Sequence, residues 1–372
     1  MTGRAAMSAF GAVAPHICWL MNLLIPGRKS SVLKQEAKNK ARIMTLVNGL
    51  ASQVDEKFSL TVEQMVEKCY ALGDFPALWA LEGLGKDIAE WHMNRSENPS
   101  RIMQDAQIDP KWDGAWLMLH AGQGMTFAKY YVDRMKTRSD QEIDHGVKRA
   151  VDLCRANSRP GYFGAAMESL GLVSRFMGDM KYCHKVNAVL QSYAPDCRGF
   201  FWRGAGRAIY FHPVNFFPGL LTPCRAINMC RREATDPEAL QNLIAGVSWA
   251  MTIVNMITPQ LMEWAIANHD DYFSGFPGYF SGVISSCIMR YDTSPHLDTI
   301  QQFRYYKPDQ RNPVLAGLWN SKITGSLNTA FEVIYPLLKK NHRLDEVFHY
   351  TSLPSLVTEL SEAPVPATSQ RS

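Results

Sequence analysis

Residues 197–225 read CRGFFWRGAGRAIYFHPVNFFPGLLTPCR, and their centre is Arg203-Gly204-Ala205-Gly206-Arg207. Two arginines and two glycines stand among aromatic residues, and Pro213, Pro218 and Pro223 close the stretch. Each glycine costs about 1 kcal/mol relative to alanine inside a helix, so two of them imply that something needs the space. Outward from this core, apolar helical patterns follow one another, separated by turn signals at 96–99, 109–110, 157–161, 195–199, 212–223, 276–278, 293–295 and 307–313. No run alternates as a strand would, and the expected fold class is all-α. Ser139-Asp-Gln-Glu142 and Thr235-Asp-Pro-Glu238 carry capping signals for two helix starts.

The glycine pair recurs. Gly83-Leu-Gly85, Gly122-Gln-Gly124, Ser169-Leu-Gly171, Gly204-Ala-Gly206, Gly246-Val-Ser248 and Gly282-Val-Ile-Ser285 begin 39, 47, 35, 42 and 36 residues apart. A period of about 40 residues is that of stacked helix pairs, each unable to bury its apolar face alone. Each unit is expected to join a small-residue helix to a more polar companion, such as 140–156 or 237–245. Small residues at one level of successive helices let backbones approach closely, or leave room for a bound molecule. Three segments are expected: an apolar N-terminal stretch with a polar helix (1–54), a helical repeat domain (55–345), and a short helix with a disordered tail (346–372).

Composition bounds the partners. The 372 residues are 46% hydrophobic and 20% charged with a net charge of +4, which excludes the basic signature of a nucleic-acid binder. The eight cysteines (18, 69, 154, 183, 197, 224, 230, 287) form no C-x-x-C pair, so free thiols and a cytoplasmic location are expected. Residues 8–26 are apolar but broken by Pro15, His16 and Asn22, which argues against a membrane-spanning helix. Peripheral membrane contact through 8–26, with Arg28, Lys29 and Lys34 toward headgroups, remains open beside packing on the protein's own core.

The stretches ALEGLGKDIAEW (80–91), CRGFFWRGAGRAIYF (197–211) and LIAGVSWAMTIV (243–254) together resemble a family of all-helical proteins encoded beside polyketide synthases, notably in enediyne clusters. The resemblance covers about 75–295. It is carried most by Arg198-Gly199-Phe200, the spaced Gly204 and Gly206, Arg207, and the Glu82-Gly83 step. It implies an all-helical fold and a role in natural-product assembly, and no particular reaction or cofactor. The chain departs from the family at its N-terminus and beyond about residue 300.

Within the repeat, the position before the first small residue is charged three times: Glu82, Glu168 and Arg203. Stacking in register would bring these together, and buried charges must pair or shift their pKa values. Two readings stay open, an Arg203 or Arg207 pair with Glu168 that holds the fold, and an acid–base site. Candidate catalytic residues are therefore Glu82, His120, Glu168 and Arg203, His120 being the best-placed group that titrates near neutrality. Candidate substrate-binding residues are Arg207, Trp202, Tyr210, Phe201 and Tyr279, from two aromatic-glycine clusters around 200–217 and 276–282. The expected ligand is a long apolar intermediate, with pathway enzymes as further partners. A cofactor-free cyclase or isomerase and a non-catalytic helical scaffold are the competing functions.

No metal site is assigned. Glu263 and Asp270 share a helix face while His269 turns away from it. Asp270-Asp271 resembles the magnesium-binding helix ends of terpene cyclases but lacks a third aspartate and a second motif, and reads as a solvated helix end. Gly204-Ala-Gly206 follows no strand, so it is not a dinucleotide fingerprint. G-x-S-x-G, P-loop and H-E-x-x-H patterns are absent.

Overall fold

The computed structural model describes residues 28–53, 60–134, 139–216, 222–273 and 275–362, and among them there is no strand. The expectations for residues 8–26, and for the tail after residue 362, lie outside the described residues. The helices are α1 (Arg28–Gln53), α2 (Val62–Ala71), α3 (Asp74–Met93), α4 (Ile102–Asp105), α5 (Trp116–Arg134), α6 (Asp140–Asn157) and α7 (Phe163–Met177). They continue with α8 (Met180–Tyr193), α9 (Arg198–Tyr210), α10 (Thr222–Glu233), α11 (Pro237–Asn255), α12 (Gln260–Phe273) and α13 (Pro277–Thr293). Beyond α14 (Asp298–Arg304), a helical run from Pro313 to Lys340 passes through two π-helical turns, Asn320–Thr324 and Ala330–Ile334.

From α3 to α13 the odd-numbered helices form an inner layer, each packed on the next, and α6, α8, α10 and α12 lie outside them. Sequence decides which layer a helix joins. In α6 the buried residues Ile143, Val147, Ala150, Val151 and Cys154 fall three or four apart, a single apolar stripe. In α11 every residue from Asn242 to Asn255 is buried, so that helix is enclosed on all sides. At the end of the row the chain returns to its beginning: Arg290 Nη2 donates to the carbonyls of Asp74 and Phe75 at 3.0 and 2.9 Å, and Tyr70 OH donates to Thr293 O at 2.9 Å.

The recurring small residues are where inner helices cross. An added Cβ on Gly122 would stand 1.9 Å from Glu82 O in the preceding inner helix, and one on Gly124 would stand 2.0 Å from Ala166 O in the following one. Gly204 and Gly206 repeat this, 1.9 Å from Glu168 O and 2.0 Å from Leu243 O. Gly246 meets Arg203 O at 1.9 Å, and Gly171 meets Phe201 O at 1.8 Å while Ser169 Oγ donates to Ala121 O at 2.9 Å. At about 100° per residue, positions i and i+2 are about 200° apart on a helix. One small residue therefore serves each neighbour, and the helix is sandwiched backbone to backbone.

Three expectations about boundaries are corrected. Residues 237–245 are no separate companion but the first half of α11, which runs unbroken from Pro237 to Asn255, and Asp236 rather than Thr235 caps it: its carboxylate accepts from Ala239 N at 2.8 Å. The boundary expected at 345 falls inside a packed turn, Leu344–Phe348, in which Phe348 is buried against the inner layer. Leu356 and Leu360 are buried in turn, so the last described helix (Leu353–Glu362) packs on the same domain. The Ser139–Glu142 capping box forms as read, and Thr61 and Gln64 make a second one.

Helix α1 is not merely a polar helix. Leu33, Glu36, Ala37, Lys40 and Ala41 share a buried face. Lys40 Nζ donates to Asn215 O at 2.9 Å, pairs with Glu36 at 3.1 Å, and stands 3.9 Å from the Tyr210 ring centre. Asn39 Nδ2 donates to Asn255 Oδ1 and Thr258 Oγ1, both at 2.9 Å. Among the described residues seven cysteines are buried outside any disulfide, and no helix is long and apolar enough to cross a membrane.

Candidate functional site

In each repeat the residue before the first small position lies about 100° from that contact face. Such residues project between the crossing helices, and three of them carry charge. Glu168 on α7 receives one arginine on each oxygen: Arg203 Nη1 at 2.6 Å from Oε1 and Arg207 Nη1 at 2.6 Å from Oε2. Arg207 and Arg203 are one turn apart on α9, so both reach the same carboxylate. Arg207 Nη2 continues to Glu82 Oε1 on α3 at 3.2 Å, and Arg203 Nη2 donates to Ser285 Oγ on α13 at 2.9 Å.

All four charged residues are buried, none more than 4% exposed. Two carboxylates balance two guanidinium groups, which is what makes their burial tolerable. Trp249 of α11 faces both arginines, with its ring centre 4.3 Å from Arg207 Cζ and 5.3 Å from Arg203 Cζ, and Phe348 closes over Arg203 at 5.0 Å. Burial pushes Arg203 down to about 10 against the pull of Glu168. Burial is also the largest influence on Arg207, but Glu168 and Glu82 together outweigh it and raise that pKa. Two donors in this cluster, Arg207 Nε and Trp249 Nε1, have no acceptor among the described residues.

Of the candidate residues, Glu82, Glu168, Arg203 and Arg207 converge and the others do not. His120 is buried with both nitrogens engaged: Nδ1 donates to Trp116 O at 2.7 Å, and Nε2 accepts from Arg159 N at 3.0 Å. Its ring stacks on Tyr162 at 5.0 Å, and burial pushes its pKa down to about 4. Trp202 turns toward α8, donating from Nε1 to Asn187 Oδ1 at 2.9 Å, with Phe201 beside it at 5.2 Å. Tyr210 joins the α1 network instead, donating to Glu36 Oε1 at 2.8 Å; burial first, then Glu36, raises its pKa strongly. Tyr279 is fully buried at the start of α13. Arg198 holds the cap of α11 through Asp236 at 2.5 Å.

Glu263 accepts from Tyr306 OH and from Asp309 N, the latter at 2.7 Å, while the side chains of His269, Asp270 and Phe217 lie outside the described residues. No group of three or more ligand residues that could hold a metal occurs among the described residues. A surface hollow of about 460 Å³, lined by Glu97, Tyr130, Glu142, His145 and Arg149 among others, takes in none of the candidates.

Sequence reasoning passed over the network of Glu36, Asn39 and Lys40. The signal was there in the alanines at 37 and 41, which mark the buried face on which Glu36 and Lys40 stand one turn apart. It also passed over Asp292, a lone acid before a turn, whose Oδ1 accepts from Tyr335 OH at 2.8 Å and pairs with Lys339 Nζ at 3.0 Å. No protein-family model matches the chain, and neither a curated protein nor a solved structure matches it.

Proposed function

We propose that the chain serves natural-product biosynthesis of the polyketide type. It binds a long apolar, carbonyl-bearing intermediate among the inner helices and moves a proton on it in a cofactor-free isomerisation or cyclisation. The observation that carries this reading is the pair of buried donors without an acceptor, Arg207 Nε and Trp249 Nε1, in one cluster with two carboxylates. A carbonyl oxygen accepting from both would be stabilised as it gains negative charge, an effect of about 3 kcal/mol per donor in a dry site. Glu168 has both oxygens engaged, so Glu82, held by one longer contact, is the carboxylate assigned to take the proton. The resemblance of 80–91, 197–211 and 243–254 to proteins encoded beside polyketide synthases supplies the pathway class.

A second reading, a non-catalytic scaffold for pathway enzymes, is favoured by the crossings themselves. At the inner glycines a neighbouring carbonyl fills the place of a Cβ, which leaves those contacts dry. Native mass spectrometry of the full chain from a producing host, with mild extraction and ultraviolet-visible spectra, separates the two. The first reading expects a co-purifying carbonyl compound that is lost in Trp249→Phe, a change that removes the donor and keeps most of the ring volume. An apo mass that appears only in company with pathway proteins supports the scaffold and overturns the first reading.

A further inference from the structure

The central cluster is enclosed, and what encloses it differs from side to side. Between α7, α9 and α11 the crossings at Gly204, Gly206 and Gly246 put a neighbouring carbonyl 1.9–2.0 Å from the place of a Cβ, so those helices leave no gap between them. The cover over Arg203 is of another kind. It comes from the turn Leu344–Phe348, outside the repeat, which touches α7, α9 and α13 and sets the fully buried ring of Phe348 5.0 Å from Arg203 Cζ.

Among the described residues, three hydrogen bonds tie segment 341–350 to the repeat. Asp345 Oδ2 accepts from Gly164 N at 3.0 Å, Asp345 N donates to Gly161 O at 3.0 Å, and Tyr350 N donates to Asn242 Oδ1 at 2.6 Å. The segment's ionic bonds stay within itself or go to the last described helix: Glu346 accepts from Arg343 Nη2 at 2.6 Å and pairs with His349 Nε2 at 2.5 Å, and Arg343 Nη1 donates to Glu359 at 2.7 Å. Those bonds survive when the segment leaves the repeat, so it can move as one piece. Both of its ends can bend. At His342 the chain takes a left-handed φ of 52° and the preceding helix stops, with Arg343 N bonded back to Leu338 O at 2.9 Å. At the other end residues 350–352 have no regular structure. Element ends and loops of this sort are where hinges lie.

We propose that residues 341–350 form a hinged plug, with Phe348 as its stopper, whose opening admits a ligand to the central cluster. A turn held by three hydrogen bonds and the side chains of Leu344, Val347 and Phe348 opens before helices that are locked backbone to backbone. The plug rests on the reading of the cluster as a binding site only for what enters; its opening is measured without a substrate, so either can fail without the other.

The test is the alkylation of Ser285→Cys in the full chain by iodoacetamide, read by peptide mass mapping. Ser285 lies in the cluster, where it accepts from Arg203, and the buried Cys287 of the same helix is the reference that only wider unfolding exposes. Position 285 should react at least about tenfold faster than Cys287, and Phe348→Ala should widen that ratio by about tenfold more. A lock is available in Gly199→Cys/His349→Cys, because an added Cβ on Gly199 stands 3.0 Å from the Cβ of His349, within a small relaxation of the roughly 3.5–4.5 Å of a disulfide. With the lock oxidised, position 285 should slow to the Cys287 rate, and reduction should restore it. Equal rates at 285 and Cys287, or a rate at 285 that the oxidised lock does not slow, would overturn the proposal. Should Ser285→Cys not fold, Phe348→Cys makes the stopper its own reporter: alkylation faster than at Cys287 supports the plug, and an equal rate overturns it.

Discussion

His120 has one nitrogen that must carry a proton and one that must not, since Trp116 O needs a donor and Arg159 N needs an acceptor. The folded protein thus holds the imidazole neutral, and its pKa of about 4 lies below the 6.5 of an unfolded chain. The unfolded chain binds the extra proton first as pH falls. Stability present at neutral pH is therefore lost between about 6.5 and about 4, by a total on the order of 3 kcal/mol. Urea titrations across that window should show the loss in the wild type and a flatter profile in His120→Gln; an unchanged profile would remove His120 as its source. The sequence placed this histidine on an apolar helix and offset it from the register of Glu82 and Glu168. It could not reveal Arg159 N, a partner 39 positions away.

Between helices, the paired small residues decide how close two axes come. Gly204→Ala should cost at least about 3 kcal/mol, or prevent folding, because the new methyl would overlap a backbone carbonyl that cannot rotate aside. Gly317, exposed in α15 (Pro313–Trp319), meets nothing within 4 Å, and Gly317→Ala should stabilise by about 0.5–1 kcal/mol. Urea unfolding of the two variants side by side measures the contrast, and equal effects would contradict the crossing geometry. This layer was the most legible part of the sequence, because a two-residue spacing on a helix has a fixed angular meaning. Where companion helices begin was less legible: α11 is buried without a break only from Asn242 onward, so its polar first turns looked like a separate element.

Across the molecule, Glu168 ties α7 to α9 and, through Arg203 and Arg207, reaches α13 and α3. Glu168→Gln leaves two buried guanidinium groups undercompensated and should destabilise by about 3–5 kcal/mol, as read by denaturant midpoints. A loss under 1 kcal/mol would mean that water reaches these charges. Glu82, Glu168 and Arg203 could be named from the repeat register alone, since one position recurs in each unit, whereas Arg207 and Trp249 lie off that position. Asp292 and Lys339 could not, because the second of them lies in the region after residue 300, where no repeat sets the register.

The docking of α1 has a consequence for the order in which the chain can assemble. Asn39 finds its partners at Asn255 and Thr258, 216 and 219 positions downstream. A ribosome adding roughly 5–20 residues per second needs about 10–40 s to make that much chain. Helix α1 can meet α3 soon after both are made, but for that interval Asn39 and Lys40 have been synthesised without the partners that hold them. The first described helix is thus seated in two stages, its apolar contact with α3 early and its polar clasp on α11 late, so the amide of Asn39 stays in water until the chain has passed Thr258.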